Sequence, residues 1–268
     1  MKGHVVVLGS VNADLVLRCT ALPLPGETVH GRDFRTLPGG KGANQAIAAA
    51  RLGASVAFIG CVGDDDFGRT AQFVLAGEGV DTSHLHVVAG TATGVAMILV
   101  DDAGQNSIAL AAGANAALTT DHVDAAAPLF VCQLESPLDV VRHAIGRARA
   151  AGVPVLLNPA PAQALPAALL ADVDVLVPNE TEAALLVGSD LDPTAAATRL
   201  RALGPATVLL TLGADGLQVD TDGLAQRVPA PATGPVVDTT GAGDTFIGAF
   251  AAARVEGCLL YTSPSPRD

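Results

Sequence analysis

Leu129-Phe130-Val131-Cys132-Gln133-Leu134-Glu135-Ser136-Pro137, the helix-length stretch 138–150, and then Gly152-Val153-Pro154-Val155-Leu156-Leu157-Asn158 form the segment on which the fold turns. Two short apolar runs rich in β-branched residues flank a longer segment that ends at a glycine, which spells strand, helix, strand. The same alternation runs outward in both directions. Val5–Leu8, Ser55–Ile59, Val173–Val177 and Thr207–Thr211 read as further strands, with Leu129–Leu134 and Val153–Leu157 from the first unit. Residues 42–52, 67–78, 138–150, 163–170, 180–187 and 194–203 read as helices. Such alternation predicts an α/β fold in which a mainly parallel sheet is covered by helices on both faces. Ligands of such sheets bind beyond the carboxyl ends of the strands, so the loops that follow strands carry the chemistry.

Two segments break the pattern. Residues from about 14 to 36 hold Pro23, Pro25, Gly26 and Gly31 among extended pieces, and residues 93–110 read as a hairpin turning at Asp101-Asp102-Ala103-Gly104. Together they predict a small β lid on one edge of a single domain spanning residues 1–257. Residues 258–268, Cys258-Leu259-Leu260-Tyr261-Thr262-Ser263-Pro264-Ser265-Pro266-Arg267-Asp268, abandon the Ala-rich alphabet and read as a non-native tail.

Composition narrows the partners. A net charge of −12 argues against nucleic acid and anionic membrane, which require basic patches, and 3% aromatic content offers no stacking platform. Cys19, Cys61, Cys132 and Cys258 form no Cys-x-x-Cys pair, so neither zinc nor a redox dithiol is indicated. With no signal peptide and no apolar run of membrane-spanning length, the expected location is the cytoplasm.

Polar clusters fall where the sheet predicts them. Asn12 and Asp14 follow the first strand on alternate positions, so their side chains share a face suited to vicinal hydroxyls. Pro38-Gly39-Gly40-Lys41-Gly42-Ala43-Asn44 opens a helix with two glycines for close backbone approach. It is not a P-loop, because the first glycine of that motif would fall at Arg35. Glu135 ends one strand, and Asn179 and Glu182 stand three apart at a helix start, where they suit a hydrated Mg²⁺ as well as ordinary capping. Thr211-Leu212-Gly213-Ala214-Asp215-Gly216 is a Gly-rich turn after a strand, consistent with a nucleotide lying over backbone. Finally Val237-Asp238-Thr239-Thr240-Gly241-Ala242-Gly243-Asp244-Thr245-Phe246 joins a Gly-rich turn, a helix start and a carboxylate, an arrangement suited to phosphoryl transfer. Taken alone, each cluster reads first as a capped turn or a solvated loop.

In this order, over Val5 to Gly257, the clusters resemble the ribokinase or PfkB family of carbohydrate kinases. The two family motifs match Gly39 to Asn44 and Asp238 to Asp244; Gly9-Ser10-Val11-Asn12-Ala13-Asp14, Pro25-Gly26-Glu27-Thr28 and Asn158-Pro159-Ala160-Pro161-Ala162 point to the members acting on ribose. The resemblance implies a three-layer α/β/α fold with a β lid, and transfer of the ATP γ-phosphoryl group to the ribose 5-hydroxyl. The alternatives are 2-deoxyribose, another furanose, a nucleoside, or a non-catalytic sugar-binding module. It further implies that Asn12, Asp14, Gly40, Lys41, Asn44 and Glu135 hold the sugar, with Asp244 as catalytic base. Gly241, Ala242 and Gly243 would form the anion hole, while Asn179, Thr211, Gly213, Gly216 and Gly243 line the ATP site. Glu182 would organise Mg²⁺ through water, Asp238 and the Thr240 carbonyl would serve K⁺, and the lid would form a homodimer contact. Ribokinases continue past the Asp244 helix with elements that complete the nucleotide and cation sites, so weakened ATP affinity and poor K⁺ activation are expected of this chain. An Asp near its reference pKa of about 3.9 is a weak base, which leaves positioning and charge stabilisation as the larger contributors.

Overall fold

The structure, a computed structural model, describes residues 4–123, 128–231 and 239–258. A nine-stranded sheet is built from β1 (His4–Leu8), β4 (Ser55–Gly63), β5 (Asp81–Val88), β8 (Leu129–Cys132), β9 (Val155–Leu157), β10 (Val175–Leu176), β11 (Thr207–Thr211), β12 (Leu217–Thr221) and β13 (Leu224–Val228). Their order is β13-β12-β11-β10-β9-β8-β1-β4-β5. All pairings from β11 across to β5 are parallel; β12 and β13 add an antiparallel edge.

The apolar runs are continuous because both faces of this sheet are covered. Val5 and Val7 join one core with Phe58, Leu75, Ala46 and Ile247, under α1 (Lys41–Arg51), α2 (Asp66–Gly77) and α7 (Ala242–Val255). Val6 and Leu8 join the other with Ile59, Phe130, Ile145 and Leu200, under α3 (Leu138–Ala150), α4 (Ala167–Leu170), α5 (Glu180–Val187) and α6 (Pro193–Arg201). Each fully buried Val, Leu or Ile contributes about 1.5–3 kcal/mol, so these alternating side chains hold the three layers together.

The two irregular segments form a second sheet of their own. β2 (Asn12–Cys19), β3 (Gly31–Gly39), β6 (Gly94–Val100) and β7 (Asn106–Ala111) pair in the order β3-β2-β6-β7, with β2 and β6 parallel. It is rooted at the carboxyl end of β1 and leads through β3 straight into α1.

Several elements differ from expectation. β5, β12 and β13 were not foreseen: β5 is a polar edge strand in which Leu85 is the one buried residue, and β12–β13 is a hairpin whose Asp222-Gly223 turn is an ordinary hairpin signal. The helix expected over 163–170 begins after Pro166, because a proline in its interior removes a donor and clashes with the preceding turn. The strand expected to reach Leu134 ends at Cys132, and that expected over Val173–Val177 is Val175–Leu176. Of the proposed tail, Cys258 is described and 259–268 lie outside the described residues.

Two close approaches set the site. Gly40 joins β3 to α1 at φ +94°, and a Cβ there would lie 2.7 Å from the Ser10 carbonyl oxygen and 2.8 Å from the Asn12 nitrogen. Gly40→Ala is expected to cost on the order of 1–3 kcal/mol, lowering Tm by roughly 2–10 °C; thermal unfolding at the parent's Tm would show that this junction relaxes. Gly248 lies where α7 crosses α1, and a Cβ there would be 2.5 Å from the Ala48 Cβ and 2.6 Å from the Gln45 carbonyl oxygen. The two helices therefore touch backbone to backbone, which brings Asn44 and Gln45 to Asp244.

Candidate active site

Strand order and chain order part company between β8 and β1, and the polar residues gather at the carboxyl ends around that point. Ser10 follows β1, Glu135 follows β8, Asn158 follows β9, Asn179 follows β10 and Thr211 closes β11. The amino ends of α1 and α7 face the same space. A cavity of about 190 Å³ lies there, lined among others by Lys41, Asn158, Asn179, Glu182, Gly243 and Asp244.

At one end sits a connected set of carboxylate, amide and hydroxyl groups. Glu135 Oε2 accepts from the Ser10 hydroxyl, from Asn12 Nδ2 at 3.5 Å and from the Lys41 backbone N–H at 3.2 Å. Asn12 is oriented by Asn115, whose Nδ2 donates to Asn12 Oδ1 at 2.8 Å while its own Oδ1 accepts the Val11 N–H at 2.9 Å. Asp14 lines a larger, mostly apolar groove of about 550 Å³ with Asn44, Gly241 and Thr245. Burial, and then the charges of Glu135 and Asp244, push the Asp14 carboxyl up to about 6. Among the described residues no hydrogen-bond donor reaches it, so its acceptor capacity is left for a ligand.

Asp244 occupies the first turn of α7 and is 8% exposed. Asn44 Nδ2 donates to its Oδ2 at 3.1 Å and Gln45 Nε2 to its Oδ1 at 2.9 Å. Burial raises its pKa, Lys41, Gln45 and Asn44 pull it back, and Glu135 pushes it up again; the net direction is upward. Asp244 is thus a better base than a solvated aspartate, because proton acceptance improves as a carboxylate's pKa approaches the working pH.

The α7 terminus supplies backbone donors. Gly241 is in the left-handed region at φ +71°, and the helix's first internal bond runs from the Thr245 N–H to the Gly241 carbonyl at 2.8 Å. The N–H groups of Gly243 and Asp244 consequently have no partner inside the helix. That of Ala242 donates to the Thr239 carbonyl at 3.1 Å, a bond it must give up to serve an anion. A neighbouring cavity of about 340 Å³ is lined by Thr211, Gly213, Gly216, Val228, Ala242 and Phe246 among others. On the wall of the first cavity, Asn179 and Glu182 form a reciprocal capping box. The Asn179 backbone N–H donates to Glu182 Oε2 at 2.8 Å, Asn179 Nδ2 donates to Oε1 at 3.0 Å, and the Glu182 N–H donates to Asn179 Oδ1 at 2.9 Å. Burial drives the Glu182 pKa up against the Asn179 N–H and Lys41.

Asn12, Asp14, Gly40, Asn44 and Glu135 therefore gather at one end and Thr211, Gly213, Gly216 and Ala242 at the other, with Lys41, Asn179, Glu182, Gly241, Gly243 and Asp244 around the cavity that joins them. Thr240 borders the apolar groove, while Asp238 lies outside the described residues. Sequence reasoning missed Ser10, Gln45 and Asn115 as site residues and noted Asn158 as a strand-end amide and as part of a family mark, without a site role. Gln45 adjoins a quoted motif and Ser10 lies within one; Asn115 follows the lid with no local signal.

The profile for pfkB family carbohydrate kinases matches residues 2–262. A ribokinase of Haemophilus influenzae is 42% identical over 266 residues, covering 96% of this chain and 87% of that protein. A deoxyribokinase of Salmonella typhi is 40% identical over 258 residues, 92% of this chain and 84% of its own. Among solved structures, Arabidopsis thaliana ribokinase complexed with ribose and ATP superposes with a TM-score of 0.87 at 35% identity, covering 96% of this chain and 87% of that one.

Proposed function

The chain belongs to the pfkB family of carbohydrate kinases, and from that premise we propose that it transfers the γ-phosphoryl group of ATP to the 5-hydroxyl of D-ribose, giving ribose 5-phosphate and ADP. The observation that carries the proposal is Asp244: a buried carboxylate of raised pKa at a helix N-terminus, between a hydroxyl-binding set and a Gly-lined cavity.

Asn12, Asp14, Gly40, Lys41, Asn44 and Glu135 hold the sugar so that its 5-hydroxyl meets Asp244. In a loose transition state the hydroxyl proton moves late, so Asp244 accepts it as the new O–P bond forms. Negative charge on the transferring group is met by the N–H groups of Gly241, Ala242 and Gly243 and by the positive end of α7. Asn179, Thr211, Gly213 and Gly216 hold the nucleotide. Both Glu182 oxygens are engaged in capping yet keep a lone pair each, which fits Mg²⁺ held through water rather than directly. When bound, Mg²⁺ neutralises phosphate charge. Asp238 and the Thr240 carbonyl are assigned to K⁺. The chain is assigned to the cytoplasm and to a homodimer through the lid, whose Phe34 and Met97 stand on one face at 62% and 61% exposure.

A second substrate, 2-deoxyribose, is favoured by the similarity to a deoxyribokinase. The test is ADP release with ribose, 2-deoxyribose, fructose and adenosine, with and without Mg²⁺ and K⁺. Ribose is expected to give the highest kcat/KM, with turnover abolished by chelation. ADP release with none of the sugars would leave a sugar-binding module.

A further inference from the structure

Asp244 is held from behind by a buried chain of side-chain amides, of which Asn158 borders the first cavity and the two glutamines line none of the cavities. Gln45, 1% exposed on α1, donates through Nε2 to Asp244 Oδ1 at 2.9 Å and to Asn158 Oδ1 at 3.3 Å, and accepts through Oε1 from Gln133 Nε2 at 2.6 Å. Each neighbour fixes which way that amide faces. Asn158 is itself fixed, because its Nδ2 donates to the Val177 carbonyl at 2.9 Å and so turns Oδ1 toward Gln45. Gln133, fully buried beyond β8, presents its Nε2 and keeps an Oε1 with no hydrogen-bond partner among the described residues. Turning the Gln45 amide over would set its oxygen against a carboxylate and an amide oxygen, and its nitrogen against another nitrogen. The orientation is therefore fixed independently at two points, Asp244 and Asn158, with Gln133 completing it by its donation to Oε1, and Asp244 Oδ1 has one permitted donor behind it.

We infer that Gln45, keyed by Gln133, is a positioning residue that locks the Asp244 carboxylate in the rotamer from which Oδ2 meets the acceptor hydroxyl. The inference rests on Asp244 being the base. Neither glutamine lines the cavities. Their contribution falls on the reacting geometry, not on substrate affinity, and a base displaced by about 1 Å can lose on the order of 10²-fold in rate. The charged groups around Asp244 are Lys41 from α1, Asp14 from β2, Glu135 after β8 and Glu182 from α5. None of them reaches Asp244 Oδ1 by a hydrogen bond among the described residues, so none substitutes for Gln45.

The test compares Gln45→Met, Gln133→Met, the double variant and Asp244→Asn in steady-state ADP release, with thermal unfolding as a check of folding. Gln45→Met is expected to lower kcat by roughly 10–10²-fold with KM for ribose and ATP within about twofold. Gln133→Met removes the key but leaves the direct bond, so its kcat falls by only about three- to tenfold. Because both act through one bond, the double variant falls no further than Gln45→Met alone. A Gln45→Met enzyme with the parent's kcat, a loss confined to KM, or additive losses in the double variant would each overturn the inference. If Gln45→Met does not fold, a folded Gln133→Met with the parent's kcat overturns it equally. Substantial turnover by Asp244→Asn would instead remove the base assignment beneath it, so the two failures are told apart.

Discussion

Asp244→Asn is expected to lower kcat by roughly 10²–10⁴-fold while ribose affinity stays within a few fold, because the proposed general-base assistance is lost and the residues proposed to grip the sugar keep their identities. The amide nearly matches the carboxylate in shape, but one of its two polar atoms becomes a donor. Asn44 Nδ2 and Gln45 Nε2 both donate into the carboxylate, so one of those two bonds must fail. The substitution also has an electrostatic signature. Asp244 is one of the charges that hold the Asp14 pKa up, so the variant's Asp14 titrates lower than the parent's. Single-turnover ADP release together with ribose-binding calorimetry reads both effects. Turnover near the parent's would assign the base elsewhere.

The second large effect belongs to Asp14. Asp14→Asn is expected to weaken ribose binding by roughly 10–10²-fold, the worth of a hydrogen bond to a charged acceptor in a buried site. In the parent, ribose affinity falls as pH drops through about 6, since only the ionised carboxylate accepts hydroxyl hydrogen bonds without restriction. The stability effect runs the opposite way. The folded-state pKa lies above the unfolded one, so protonation favours the fold and the ionised Asp14 opposes it. That opposition is absent below about pH 4, grows as pH rises, and is complete once pH passes about 6. Asp14→Asn should therefore melt higher than the parent at about pH 8, with the advantage vanishing by about pH 4. A lower Tm at the higher pH, or a parent affinity indifferent to pH between about 5 and 7, would show that the carboxylate is not held as described.

Burial on both faces made the central strands legible: Val5 to Leu8 is apolar at every position because helices cover each side of it. The polar residues beyond those strands stood out for the same reason, as abrupt ends to apolar runs. β5 was not legible, since an edge strand of the composition Asp-Thr-Ser-His-Leu-His-Val-Val lacks both the continuous run and clean alternation. The hairpin of β12 and β13 did carry a signal in Asp222-Gly223. The orienting amides are a different matter. Gln45 meets Asp244 across 199 residues and Asn115 meets Asn12 across 103. A buried amide bonded to another buried amide leaves no periodicity, charge or spacing by which a sequence announces it; only the fold brings the pair together.

The glycine at 248 has a mechanical consequence. Because α1 and α7 touch there without an intervening side chain, they have no compliant layer that can be squeezed or slide, and they behave as one stiff body. Lys41 and Asn44 ride on one helix and Asp244 on the other, so the crossing sets the spacing between the groups proposed to hold the sugar and the proposed base. On the proposed function, opening of the site to sugar is expected of the four-stranded sheet, which carries Asp14 on β2, while Asn12 at its root stays tied to Asn115 and Glu135.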